Sequence, residues 1–202
     1  MKLRITYNAP VVLTFTIAAI VAFILTQLVP PLRGWFAAYP SFDGIQSYVG
    51  LFTHILGHAS WEHLLGNFML ILLIGPILEE RHGSRGLLIM ILGTALVTGL
   101  ANVLIGSHML VGASGIAFMM IVLASMANVR GGEVPLTFIA VAIVYMGGEI
   151  VRSFNNDNVS HMAHLVGGAV GGAFGFVFAR GKSPKQKSQA KSSSIQASSR
   201  TR

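Results

Sequence analysis

LVGASGIAFMMIVLASMAN, Leu110 to Asn128, is apolar enough for the interior of a bilayer, yet it holds a serine, Ser114, between Gly112 and Gly115. Whether this is a buried helix of a soluble core or one span of a membrane bundle decides the fold. Composition answers: 53% of the 202 residues are hydrophobic and 10% are charged, with a mean hydropathy of +0.68. A soluble domain carries about 25% charged residues. The chain therefore reads as an all-α, polytopic membrane protein, because helices of spanning length satisfy their own backbone polar groups in lipid. The net charge of +7 would suggest nucleic acid in a soluble protein. Here the basic residues flank apolar segments and fill a tail, so topology and anionic lipid account for them and no nucleic-acid partner is expected. With no cysteine, thiol nucleophiles, thiolate metal sites and disulfides are excluded.

Apolar segments separated by Gly, Pro or charge clusters predict six spans, near 10–29, 61–79, 86–105, 114–128, 134–151 and 160–179, within a membrane domain of residues 1–180. The first run is too long for a signal-peptide core and ends at Pro30-Pro31, so it reads as an uncleaved helix. A long first connection, residues 30–60, is amphipathic, and residues 181–202 read as a basic, disordered tail. Lys2, Arg4, Arg81, Arg85, Arg130, Arg180 and the tail fall on one side of a six-span topology, with Arg33 and Arg152 on the other. The positive-inside rule then makes both termini cytoplasmic.

Depth brings polar groups together. Ser114 stands 14 residues from Asn128, or about 21 Å, and His164 stands 16 residues from Arg180, or about 24 Å. Measured from Glu79, Asn67 is about 18 Å up and His63 about 24 Å, on one helix face at i, i+4. Four groups from three spans thus share a level near the outer surface, and the preceding IGSHMLVGA must dip inward to reach it. Such a set suits acyl transfer. Histidine can take the serine proton, while the Asn67 amide, the His63 ring and the Ser114 N–H can face an oxyanion. Gly112 and Gly115 leave clearance for that centre.

Other hydrolytic chemistries lack their residues. No lysine lies between Lys2 and Lys182, the aspartates are Asp43 and Asp157 in loops, and Trp61-Glu62-His63 is not a zinc H-E-x-x-H signature. Ile116 breaks the G-x-S-x-G elbow. His54, His58 and His63 have an i, i+4, i+9 spacing that could suggest a metal, but interfacial hydrogen bonding explains them better, and no metal is expected. His161 is a rival base one turn before His164. Glu79, Glu80, Arg81 and Arg85 read as a solvated cytoplasmic cap, and the glycines of 167–175 as a packing ridge against the fourth span.

Across residues 45–179 the chain resembles the rhomboid intramembrane serine proteases. The matching motifs are Gly112-Ala113-Ser114-Gly115, His63 with Asn67 within HASWEHLLGN, and Ala163-His164-Leu165-Val166-Gly167; the Trp-Arg pair of the first loop in many members is not evident. The resemblance implies a minimal six-helix bundle of bacterial or archaeal type with a long first loop, in the cytoplasmic membrane of a prokaryote. It also implies a Ser114–His164 dyad, an oxyanion site at His63 and Asn67, and support from Gly112, Gly115, Gly167 and Phe118, the last packed on the catalytic imidazole. No cofactor is implied. The implied partners are transmembrane protein substrates and membrane lipid, with the fifth span as a side gate. The rival reading is a non-catalytic rhomboid-like protein that binds transmembrane clients. Retention of nucleophile, base and oxyanion donors together distinguishes this chain from that class.

Overall fold

Pro10 opens the first helix, α1 (Pro10–Leu28), where its missing N–H costs nothing because the first turn has no intrahelical acceptors to fill. The computed structural model describes residues 6–126, 134, 136–148 and 161–180. After α1 come a short 3-10 helix (Pro30–Phe36), α2 (Ile45–Thr53), α3 (Trp61–Ile105), α4 (Ser114–Ser125), α5 (Leu136–Val141, continued as a π-helix over Ala142–Gly147) and α6 (His161–Arg180). No strand occurs among the described residues; Ala38 and Leu110 form one isolated antiparallel pair. Arg130, Glu149, Arg152 and the tail at 181–202 lie outside the described residues.

α3 has 45 residues, about 68 Å if straight, against a hydrocarbon core of about 30 Å. It is not straight, since Gly83 takes φ 75°, ψ 156° within the charged stretch EERHGSR. That left-handed conformation suits glycine, and it turns the chain back on itself. The reversal is visible in the contacts: Asn67 and Thr98 both approach the Gly112–Gly115 segment, although a straight helix would hold them about 46 Å apart. Gly83 thus divides α3 into two arms, one on each side of the charged turn. α1 and α3 are long and apolar enough to cross a membrane.

α1 runs antiparallel to the first arm of α3. Val12 meets Gly75, the Phe15 and Phe68 rings lie 5.1 Å apart, and Phe23 meets Trp61 edge-on at 4.6 Å. Glu79 belongs to this interface and is not part of a solvated cap: it is 4% exposed, and its two carboxylate oxygens accept the N–H groups of Val11 and Val12, each at 3.0 Å. An acidic side chain from a neighbouring helix thus satisfies the positive N-terminus of α1. The sequence pattern pointed outward because this partner lies 67 and 68 residues away.

α4 is the central element, buried on nearly every side by Ile116, Ala117, Met119, Met120, Ile121, Val122 and Leu123. It packs most extensively on α6. A Cβ at Gly167 would collide with the Gly115 carbonyl, one at Gly171 with the Met119 carbonyl, and one at Gly175 with the Met126 side chain. These glycines recur every four residues, so one face of α6 lies directly on the backbone of α4. The connection before α3 folds over one end of this packing: α2 sets Leu51 against Gly99, and Gly50 leaves no room for a Cβ beside the Ala37 carbonyl.

Replacing Glu79 with alanine strands two N–H groups at the buried start of α1. The expected cost is about 1–3 kcal/mol, read as a lower thermal midpoint of the purified protein in detergent. An unchanged midpoint would contradict the capping role.

Candidate active site

Ser60 starts α3 by accepting the His63 N–H at 3.2 Å, an N-cap that fixes where the helix begins. His63 and Asn67 then stand one turn apart on the same face. The segment before α4 is drawn against that face by hydrogen bonds. Asn102 Nδ2 donates to the Ala38 and His108 carbonyls, both at 3.1 Å, and Ala38 and Leu110 exchange N–H···O bonds of 2.9 Å each way. Further in, the Gly112 N–H donates to the His54 carbonyl at 2.9 Å and the Ala113 N–H to His58 Nε2 at 3.4 Å. Non-helical backbone is thereby carried inward with the Leu110, Gly112 and Ala113 donors satisfied.

Gly112 is the tight point. Its φ of 118° is one that side chains rarely adopt, and a Cβ there would lie 2.6 Å from His63 Cε1, 2.7 Å from His63 Nε2 and 3.5 Å from Asn67 Nδ2. The backbone of G-A-S therefore sits directly against the imidazole and the amide. Ser114 follows as the first residue of α4, half-buried, at the end where helical N–H groups point outward.

α6 approaches the same point from the other side. A Cβ on Gly115 would lie 3.2 Å from the Ala163 carbonyl and 3.2 Å from Thr98 Cγ2. Next to Ala163, the His164 ring stacks on Phe118 with centroids 4.5 Å apart and planes 4° from parallel. Phe118 is one turn after Ser114, so the stack sets the imidazole over the α4 face that carries the serine. His161, the other candidate base, is buried and meets His164 edge-on at 6.3 Å. All eight residues singled out from the sequence thus gather where α3, α4 and α6 meet.

The histidines of the first connection are hydrogen-bonded into the fold. His54 Nδ1 lies 2.9 Å from the Gly50 carbonyl and Nε2 3.3 Å from Thr98 Oγ1, tying α2 to the second arm of α3. His58 is the residue that sequence reasoning left out of the site. Its Nε2 lies 3.1 Å from Asn67 Nδ2, and its ring meets those of His63 and Phe68 at 5.1 and 5.8 Å. Burial pushes both His54 and His58 down to about 4, so both are neutral near pH 7. Among the described residues, no group of three or more His, Asp or Glu could hold a metal ion. A cavity of about 350 Å³ borders the site beneath the first connection, lined in part by Phe36, Tyr39, His58, Met109 and Val111.

The family model described as Rhomboid domain matches residues 46–181. Over 141 residues the chain is 36% identical to Rhomboid-related protein 1 of Caenorhabditis elegans, covering 62% of this chain and 38% of that one. It is 32% identical over 120 residues to YdcA of Bacillus subtilis (strain 168), which bears the provisional name of a rhomboid protease, covering 58% and 60% of the two chains. It is also 28% identical over 130 residues to Rhomboid-like protein 11, chloroplastic, of Arabidopsis thaliana, covering 56% and 46%. The chain thus spans between 38% and 60% of the length of these curated relatives. They come from an animal, a bacterium and a plant, so the likeness points to no one kingdom. With most of its length inside the family's domain, and with its apolar helices, this chain belongs to the rhomboid family and is an integral, polytopic membrane protein.

Proposed function

We propose that this protein is an intramembrane serine endopeptidase that cleaves transmembrane segments of membrane proteins near the outer face, through an acyl-enzyme on Ser114. The observation that carries this reading is the stack of His164 on Phe118, at 4.5 Å, over the face of α4 that begins with Ser114. His164 takes the Ser114 proton as Oγ attacks the scissile carbonyl. The tetrahedral oxyanion faces the Ser114 N–H, the His63 ring and the Asn67 amide. Collapse breaks the C–N bond, and His164 passes its proton to the leaving amine. Water, deprotonated by the same imidazole, then releases the acyl group and restores the serine. No acidic residue orients His164 in this scheme; the Phe118 stack and the α4–α6 packing do so. A regular helix hides its carbonyls, so small or helix-breaking residues at the scissile bond favour cleavage.

The proposed topology has six membrane crossings, the two arms of α3 counting separately, with both termini cytoplasmic as the Lys and Arg distribution requires. Glu79 at the start of α1 and the charged turn around Gly83 fit the cytoplasmic end. The polar cluster around Ser114 fits the outer end, and α5, with Leu136, Ile143 and Val144 exposed, is the proposed side gate.

The test is cleavage of a tagged single-pass substrate by the purified full chain in lipid, beside Ser114→Ala and His164→Ala. Each substitution is expected to lower cleavage by at least about 10³-fold. Equal cleavage by Ser114→Ala would sink the proposal, as would wild type that cuts no member of a varied substrate panel and does not react with a fluorophosphonate probe. A second expectation concerns clearance: Gly112→Ala strains a φ of 118° and drives a methyl into His63, so kcat/KM should fall by about 10²-fold. Unaltered kinetics in that variant would show that the close approach is dispensable.

A further inference from the structure

Two neighbours of His58 settle which ring nitrogen carries its proton. Nδ1 lies 3.2 Å from the Leu56 carbonyl, which can only accept, so Nδ1 bears the hydrogen. Nε2 lies 3.4 Å from the Ala113 N–H, which can only donate, so Nε2 offers its lone pair. The Asn67 side-chain atom at 3.1 Å from Nε2 must then be a donor, the NH₂ end of the amide. That nitrogen is also the atom 3.5 Å from the Cβ position of Gly112, beside the backbone that leads to Ser114.

We propose that His58 is a positioning residue: by presenting a bare Nε2, it fixes the Asn67 amide with its nitrogen toward the reaction centre, and holds the Ala113 peptide in the same grip. The inference rests on the proposed protease reading. One Asn67 hydrogen goes to His58 and the second remains for the oxyanion. With the acceptor gone, the amide can turn and offer its carbonyl oxygen, which repels the developing negative charge. Of the three successive N–H groups of G-A-S, the first is engaged by the His54 carbonyl and the second by His58. The third, on Ser114, is the backbone donor for the oxyanion. His58 thus acts through two groups and touches no reacting atom itself. Its ring contacts with His63 and Phe68 explain why an aromatic replacement can preserve packing.

The experiment compares wild type with His58→Phe and His58→Gln, each alone and combined with Asn67→Ala. Phenylalanine keeps a ring and removes the acceptor; glutamine restores an acceptor oxygen. The expected result is a fall in kcat of about 10-fold or more for His58→Phe with KM little changed, partial recovery in His58→Gln, and a much smaller further loss when Asn67 is already alanine. The same fold-loss in both backgrounds, or a change confined to KM, would overturn the proposal. Should His58→Phe fail to fold, His58→Gln carries the test: kcat below that of Asn67→Ala alone would count against it. Nitrogen-15 NMR of His58 in the full chain supplies a readout that needs no activity. A proton on Nδ1 and a hydrogen-bonded, bare Nε2 are expected, and a proton on Nε2 refutes the inference. An inactive wild type with the expected tautomer would fault the protease reading and leave the amide orientation standing.

Discussion

The contact between α4 and α6 is the constraint on which the site depends. Gly167 on α6 lies so close to Gly115 on α4 that a Cβ at Gly167 would collide with the Gly115 carbonyl, and Gly171 and Gly175 continue the seam. In lipid, helices gain nothing from excluding water between them, so small residues that allow close van der Waals approach dominate association. Here that approach has a chemical consequence. With the helices in backbone contact, the Ala163 carbonyl reaches Gly115, and the adjacent imidazole stacks on Phe118. The proposed dyad has no acidic third member, and in that proposal the seam together with the stack orients its base.

The same economy governs polar groups. Among the described residues, no buried side-chain nitrogen or oxygen lacks a hydrogen-bond partner, as a low-dielectric setting demands. At one end of the bundle Glu79 satisfies the start of α1. At the other, His54, Thr98, Asn102, His58 and Asn67 form a chain of bonds linking the first connection, α3 and the descending segment before Ser114. That network explains how irregular backbone can reach the serine, since His108, Leu110, Gly112 and Ala113 are each tied to a side chain or carbonyl of a neighbouring element.

Much of this was legible in the sequence because its signals were local or followed from depth. Apolar runs marked the helices at Pro10–Leu28 and in the two arms of α3, and EERHGSR marked the turn between those arms. Helical rise measured from Asn128, Arg180 and Glu79 predicts one level for Ser114, His164, His63 and Asn67, and periodic glycines identified the ridge of α6. The two short helices within residues 30–60 were not foreseen, because their amphipathic pattern is equally that of an interfacial loop. Glu79 was misread because its partners lie on another helix. His58 was weighed only as a metal or interfacial group; its place beside Asn67 and Ala113 depends on a contact 55 residues distant and on a tautomer, neither of which has a sequence signature.

The seam is tested most directly by widening it. Gly167→Val puts bulk against the Gly115 carbonyl while leaving the Ser114 and His164 side chains unaltered, and the rate at which a fluorophosphonate labels Ser114 in the membrane-inserted protein reports whether the base still activates the nucleophile. A fall of about 10²-fold or more, with the protein still inserted and helical, is the result the account predicts. Labelling at the wild-type rate would contradict it, because the imidazole would then be held in place by something other than the backbone contact of α4 and α6.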